Sequence, residues 1–578
     1  MIYMLSLKVG KSRGRDYLSI ITKYWDRENK QSRTKTVRSL GYVDELKKDF
    51  IDPIAHFKEV VAVMNQEIEA ENKKFSISLN KDELLSNRTG IRKNIGYSAL
   101  SLIYHELCLD RFCNNKSRTW ANSYSIDEIM KLLVFSRILK PGSKKKAFDT
   151  KSIFLEKMDF SLEDVYRSLT KINTLKDDLQ IHIHKKVKEL YDRDSSLVYY
   201  DVTNYYFEID SQDEMRKKGV SKEHRPDPII QMGLFTDSQG IPIAYKLFPG
   251  NTNDCKTLIP QLKELNNKYS IKHMIVVADK GLNTAGNISY NILAGNGYVF
   301  SQSVRGANKD LKDFVLSENG YKSLNEGFKS KSRIYSKTIS VTTKEDETKK
   351  ITVDEKQVAI YSDKYARKTR KEREAVIRKS RDLIANPSKY NKAASYGANK
   401  YVKNLVFDEK TGEIINSSKK LILDEEKITE EEKYDGYYVI VTSEINKSDE
   451  EILNIYKGLL QIEEAFRITK GDLESRPVYL SRHDRIEAHF LTCFIALVIA
   501  RLLAYRLDNK YSITKIASSL NSTSYSFISQ NIYVGDYIDE VSMDIKEKLN
   551  LDFDKKFMTY GELRKLIAAT KKSVPPVK

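Results

Sequence analysis

At 578 residues the chain is long enough for several domains, or for one core carrying large insertions. Charged residues make up 31% and hydrophobic ones 40%, a globular composition that excludes wholesale disorder. The 98 Lys and Arg exceed the 80 Asp and Glu by 18, which fits either a polyanionic partner, most simply nucleic acid, or a Lys-rich solvated surface.

Residues 1–45 read as a small β unit, with YLSII (17–21) and RTKTV (33–37) as strands around the polar, turn-like WDRENKQS. Residues 46–190 are helical in pattern. SIDEIMKLLVFSRIL (125–139) and SLEDVYRSLTKI (161–172) each open on a Ser able to cap the first N–H groups, with an acid three residues on. Between them PGSKKKAF reads as a basic turn bearing Lys144, Lys145 and Lys146. The region is either a DNA-binding module or a plain helical bundle. His105, Cys108 and Cys113 lie close together but lack a second ligand pair at zinc-site spacing. With Cys255 and Cys493 they are too few for a disulfide framework, so a reducing compartment fits.

A strand-rich texture opens the core, 191–310. LVYYDVTNYYFEI and IIQMGLFTDSQGIPIAYKLFPGN read as hairpin strands. HMIVVADKG is a short apolar strand ending at Asp279, followed by a helix-like TAGNISYNILAGNG and a strand, YVFSQSV. Hairpins followed by strand–helix–strand predict a mixed α/β (α+β) fold, a mixed sheet flanked by helices. Residues 311–435 are highly charged. They include nine Lys and Arg in 364–381 and an acidic DEEKITEEEKYD, and they read as an insertion looped out of the core. The basic run is a candidate for phosphate contacts or simply a solvated helix. Core texture resumes over 436–510, and 511–578 closes the chain as a helical region. The N-terminus lacks the apolar stretch of a signal peptide. The longest apolar run, 490–500, is 11 residues, too short to span a bilayer and suited to a buried helix, so no membrane partner is expected.

Three carboxylates attract chemistry. Asp201 lies inside a strand pattern that should be buried, and Asp279 ends one. Such an Asp is costly unless it is ligated or hydrogen-bonded, although a turn-forming or capping Asp is common. The third comes from EEILNIYKGLLQIEEAFRITKGDL, read as one helix. Tyr456, Glu463 and Lys470 are spaced by seven and share a stripe, with Leu459, Leu460 and Phe466 near it to pack on the sheet. Glu463 on that stripe either meets a metal beside the aspartates or makes ordinary salt bridges.

YYDVTNYYFE, VVADKGL and YKGLLQIEEAFRITK resemble the three catalytic blocks of DDE insertion-sequence transposases. The last is similar to the group marked by Tyr, two residues, Arg, three residues, Glu, six residues, Lys, with Leu459 at the Arg position. GIPIAYKLFPGNTND and SRPVYLSRHDRIEAHFLTCFIALVIA resemble the same group, so that the likeness covers about 195–505. The resemblance implies an RNase H-like core in which Asp201, Asp279 and Glu463 bind two Mg²⁺ ions, with Mn²⁺ able to substitute. It implies contacts of Tyr456, Lys470 and Arg467 with DNA. It also implies an enzyme that binds the inverted-repeat ends of its own element, frees a 3′-OH and joins it to target DNA. Double-stranded DNA is the expected partner, a homodimer the expected active form, and the bacterial cytoplasm, on the nucleoid, the expected place. The rival readings are an RNase H-like structure-specific nuclease without strand transfer and a non-catalytic DNA-binding relic.

Overall fold

The computed structural model describes residues 4–26, 31–72, 82, 92–121, 123–223, 225–325, 327–342, 348–390, 395, 397–407, 414–415 and 420–572. The chain divides into two compact units, Met1–Asn87 and Arg88–Lys578.

The first unit is an antiparallel sheet of β1 (Leu5–Ser12), β2 (Arg15–Asp26) and β3 (Gln31–Tyr42), followed by α1 (Val43–Leu46) and α2 (Pro53–Asn72). The strands run longer than 17–21 and 33–37. Most of the turn between them, residues 27–30, lies outside the described residues. The β unit does not end near 45, because Val61, Met64 and Ile68 of α2 pack against Leu5 and Ile20. Asn65 ties the helix to the sheet, its side chain bonding both the N–H (2.8 Å) and the carbonyl (3.0 Å) of Leu5.

The second unit opens with β4 (Arg92–Asn94) and six helices: α3 (Tyr97–Glu106), α4 (Leu109–Ser117), α5 (Ile126–Leu139), α6 (Lys144–Asp149), α7 (Leu162–Thr174) and α8 (Lys176–Tyr191). Ser125 caps α5 through the Glu128 N–H, and Ser161 makes a capping box with Asp164 on α7. The expected basic turn is instead mostly helix, since Ser143 caps α6 and the three lysines form its first turn.

β5 (Leu197–Tyr206), β6 (Ile229–Thr236) and β7 (Pro242–Pro249) follow, then α9 (Leu258–Lys268), β8 (Ile275–Ala278), α10 (Ala285–Leu293) and β9 (Gly297–Gln302). Strand order is β7-β6-β5-β8-β9. β5, β8 and β9 run parallel, and β6 and β7 are antiparallel to their neighbours. This is the order expected of an RNase H-like core.

The segment 311–435 is not looped out. After α11 (Lys309–Leu316), β10 (Lys322–Asn325), β11 (Phe328–Thr342) and β12 (Thr348–Ser362) join the same sheet through β15 (Tyr437–Thr442), which pairs antiparallel with β9. The nine strands run β10-β11-β12-β15-β9-β8-β5-β6-β7. Between β12 and β15 lie α12 (Asp363–Ala385), the short pair β13 (Val402–Lys403) and β14 (Ile422–Leu423), and α13 (Glu425–Glu432).

The chain closes with α14 (Asp449–Lys457), α15 (Leu459–Lys470), α16 (His483–Arg506), α17 (Ile513–Ser522), β16 (Ser524–Ser529), β17 (Ile532–Gly535), α18 (Glu540–Leu549), β18 (Phe557–Thr559) and α19 (Tyr560–Thr570). Side chains alternate across the sheet. On β5, Val198, Tyr200 and Val202 face α9 and α10, whereas Tyr199 and Tyr205 face the helices α14–α16. α16 is long and apolar enough to cross a membrane by length and composition. Its apolar window is wholly buried, which makes it the central core helix.

Candidate active site

Alternation places the two aspartates. Asp201 shares the face of Tyr199 and Tyr205. Asp279, the residue after β8, shares the face of Val277. The parallel register pairs Leu197 with Ile275 and Tyr199 with Val277. The same offset brings Asp201 level with Asp279, at the carboxyl end of neighbouring strands and on the face that α14 and α15 cover.

Neither aspartate is a turn former. The carboxylate of Asp279 makes no capping bond to the turn that follows it. It accepts from Ser301 Oγ at 2.7 Å, and from the Tyr456 hydroxyl at 3.4 Å. Among the described residues Asp201 accepts only from the neighbouring Val202 N–H, at 2.7 Å. Burial, reinforced by the charges of Asp279 and Asp254, pushes its carboxyl up to about 6, even though Lys222 pulls the other way. Lys222 donates to the Val202 carbonyl. Asp254 is itself raised by burial. Asp201, half-hidden and raised by burial, and the exposed Asp279 on the same face offer hard oxygen donors of the kind a divalent cation would suit.

The third carboxylate comes from a helix that is not continuous. α14 and α15 meet at Gly458, where a side chain would strike the Tyr199 hydroxyl at 2.1 Å. That hydroxyl donates to the Ile455 carbonyl at 2.9 Å. The break keeps the seven-residue stripe nearly in phase, since Gly458 stays in the helical region of φ and ψ. One end of the stripe, Tyr456, reaches Asp279. The other, Lys470, is held down to about 8 by burial and the Lys222 charge, with Asp201 close enough to raise it.

Glu463 lies between them, exposed, at the border of the buried face rather than on it. Leu460, expected against the sheet, is 64% exposed, whereas Leu459 and Phe466 are buried. Glu464 bonds Arg501 of α16 at 3.0 Å. Among the described residues no three His, Cys, Asp or Glu side chains stand close enough together to hold a metal ion.

The remaining expected contacts divide. Arg467 is exposed and paired with Asp472 at 3.2 Å. Lys145 and Lys146 are exposed. Lys144 is not available to DNA: it is buried, its amine donates to His489 Nδ1 at 2.5 Å, and burial lowers it to about 7. The sequence reading missed Ser301, Lys222, Asp254 and the pair Glu223 and Arg476. The Glu223 carboxylate accepts from Lys470 at 3.2 Å and from Arg476. Of these Asp254 and Arg476 had a signal, because they fall in the blocks GIPIAYKLFPGNTND and SRPVYLSRHDRIEAHFLTCFIALVIA.

None of the curated proteins matches the sequence. Among solved structures the chain is similar to the cryo-EM structure of a piggyBac transposase synaptic complex with hairpin DNA, at 9% identity and a TM-score of 0.32, over 82% of this chain and 85% of that one. It is also similar to the Mos1 transposase paired-end complex with the left transposon end, at 11% identity and a TM-score of 0.14, over 41% and 66%. A family model described as IS1634 family transposase, N-terminal domain, matches residues 7–74. Another, described as Transposase DDE domain, matches residues 207–499, just over half of the sequence. The chain belongs to the DDE-domain transposases.

Proposed function

We propose that this transposase binds the inverted-repeat ends of its element, cleaves them by Mg²⁺-dependent hydrolysis and joins the freed 3′-OH to target DNA. The observation that carries the reading is the level pair of Asp201 and Asp279 on one sheet face, under the helices that carry Tyr456 and Lys470, with Glu463 at the border of that face. In this reading Asp201, Asp279 and Glu463 hold two divalent ions, Mg²⁺ or Mn²⁺. Ions bound there would stabilise charge on the attacking and leaving oxygens of the phosphodiester. Glu463 completes the set by a rotamer or helix shift on loading, since it has no ion pair to give up among the described residues.

The other groups handle the strand. Lys470 turns its amine towards a phosphate, leaving Glu223. The single proton of the Tyr456 hydroxyl, given to Asp279 in this structure, turns to the same strand when DNA binds. In hydrolysis water attacks phosphorus and the bond to the 3′ oxygen breaks, leaving a 3′-OH and a 5′-phosphate. In transfer that 3′-OH attacks a target phosphorus and displaces the target's own 3′ oxygen. Two ends must be cut in concert, so a homodimer is the proposed active form.

The test uses end DNA with Mg²⁺ present or withheld. Asp201→Ala, Asp279→Ala and Glu463→Ala are each expected to lose cleavage by at least a thousandfold while retaining DNA binding, because loss of negative charge does not weaken phosphate contacts. An Asp279→Ala protein that nicks at the wild-type rate removes the assignment. Wild-type protein that cleaves but never joins strands fits the nuclease reading instead.

A further inference from the structure

We propose that the solvent face of α12 is a track for the phosphate backbone of duplex DNA, leading out from the carboxylate site. This rests on the reading of the chain as a DNA-cutting enzyme and adds where, beyond the cleaved bond, the duplex is held.

The helix has two faces of different character. Ala366, Thr369, Arg373, Ser380 and Leu383 are buried. The opposite side carries Lys364, Arg367, Lys368, Arg370, Lys371, Arg378, Lys379 and Arg381, all exposed. At about 100° and about 1.5 Å per residue, Lys364, Arg367, Lys371 and Arg378 form a stripe roughly 60° wide and about 21 Å long.

Most acids at hand pair elsewhere, and Glu374, exposed between Lys371 and Arg378, makes no ion pair among the described residues. Asp435 and Glu432 bind Arg373, on the buried face. Glu431 binds Lys400 and Arg305, while Asp424 and Glu426 bind Lys403. On the solvent face, among the described residues, the one ion pair is a long contact of Lys368 with Glu372, 3.9 Å. The four cations of the stripe make no ion pair among the described residues. A helix that buries and pairs one arginine while leaving a line of cations bare is complementary to a line of external negative charge.

Its position supplies the second argument. Tyr365, in the first turn, packs edge-on against Tyr438 of β15 with ring centroids 5.5 Å apart, and it lies within the field of Asp279. The cationic stripe therefore starts on the side of β15 near Asp279. Along one strand of B-DNA, phosphates recur about every 3.4 Å of axis, so about 21 Å passes about six of them. The helix carries no Asn or Gln to read adenine edges, and the contact proposed for its cations is to the backbone.

Binding of the full-length protein to a 30-base-pair duplex of arbitrary sequence, measured by fluorescence anisotropy across a salt series, tests this. Each lost phosphate contact should lower the slope of log affinity on log salt by about 0.9. Replacing Lys364, Arg367, Lys371 and Arg378 together by Gln is expected to lower it by about 3 to 4, with affinity falling at least tenfold. The charge-keeping set Lys364→Arg, Arg367→Lys, Lys371→Arg and Arg378→Lys should retain the slope. Should the fourfold Gln protein lose its circular-dichroism signal, the double change Lys364→Gln and Arg378→Gln gives the same reading at half the size. An unchanged slope in a folded Gln variant overturns the track and leaves the enzyme reading standing. Wild-type protein with no measurable duplex binding overturns the enzyme reading itself.

Discussion

Adjacent glutamates on α15 separate by what they touch. Glu464 faces Arg501 on α16 and accepts from it at 3.0 Å, a fixed ion pair with one member buried. Glu463 has no such anchor among the described residues. Glu464→Gln is therefore expected to cost stability, about 1 kcal/mol for a half-exposed charged hydrogen bond, with Mg²⁺-dependent cleavage retained. Glu463→Gln is expected to do the reverse, melting as wild type and losing cleavage. An inactive Glu464→Gln beside an active Glu463→Gln would falsify the helix register. The lysines of α6 separate in the same way. Lys144→Met should leave the salt slope of DNA binding unchanged, because the buried amine touches His489 rather than solvent. Lys145→Ala, at the exposed neighbour, should lower it by up to about 1. Equal effects of the two would mean that Lys144 swings out. Asp201 and Asp279 were readable from sequence because each follows a run of buried strand residues. The burial of Lys144 was not readable, because its cause, His489, lies 345 positions away on another helix.

Elements carry the next level of constraint. The join of α14 and α15 depends on Gly458, which lets Tyr199 of β5 reach the Ile455 carbonyl. A methyl group there meets the phenol at 2.1 Å, too close for any relaxed packing. Gly458→Ala is expected to destabilise by about 1–3 kcal/mol, as overpacked cores do, and to slow cleavage by shifting Tyr456 and Glu463 together. Thermal melting and single-turnover rates check both; wild-type values in both would show that the junction is free to adjust. Two helices also hold buried, neutral histidines beside cations. His184 of α8 lies 3.3 Å from an Arg193 guanidinium nitrogen, and burial with that charge lowers it to about 3. His489 of α16 is held well below its usual value by burial and the Lys144 charge. A histidine that protonates when unfolded but not when folded contributes stability fully above about pH 6.5. That contribution is lost as pH falls from there towards the folded value. At pH 5 the loss from His184 alone is about 2 kcal/mol. His184→Gln should flatten the fall of melting temperature between pH 7 and pH 5, and an unchanged pH dependence would remove His184 as a cause. Element types read well from periodicity: the strands at 197–206, 229–236 and 275–278 and the capped helices α5 and α7 all fell where pattern put them. What pattern could not supply was pairing. The charged strands β11 and β12 look solvated in sequence, and only the β15–β9 ladder makes them part of the central sheet.

At the scale of the whole molecule, chain order and core membership diverge. The segment before β5 reads as a separate helical region, yet its helices wrap α16, the element that follows α15. α16 buries every residue from Ile486 to Ala504. It shares one apolar cluster with Ile103 of α3, Ile129, Leu133 and Phe135 of α5, Val165 and Leu169 of α7 and Ile183 of α8, and with Leu563 and Ile567 of α19. Arg137 of α5 reaches further, donating to the carbonyls of Leu473 and Glu474 at 3.2 Å each, in the turn that follows Lys470. The first helices therefore support the site from behind, and cutting the chain between α8 and β5 would cut through a core. Fully burying one large apolar side chain contributes about 1.5–3 kcal/mol, so exposing half a dozen costs about 9–18 kcal/mol, as much as the roughly 5–15 kcal/mol net stability of an ordinary domain. The compact-unit boundary lies elsewhere, between Asn87 and Arg88. A protein comprising residues 88–578 is expected to melt in one cooperative transition and to keep its near-ultraviolet circular dichroism. One comprising residues 191–578 is expected to lose that signal and aggregate, with α16 stripped of α3, α5 and α7. A cooperative melt from 191–578 would mean that sheet and α16 form a core without the first helices, and the supporting role of Arg137 would fall with it.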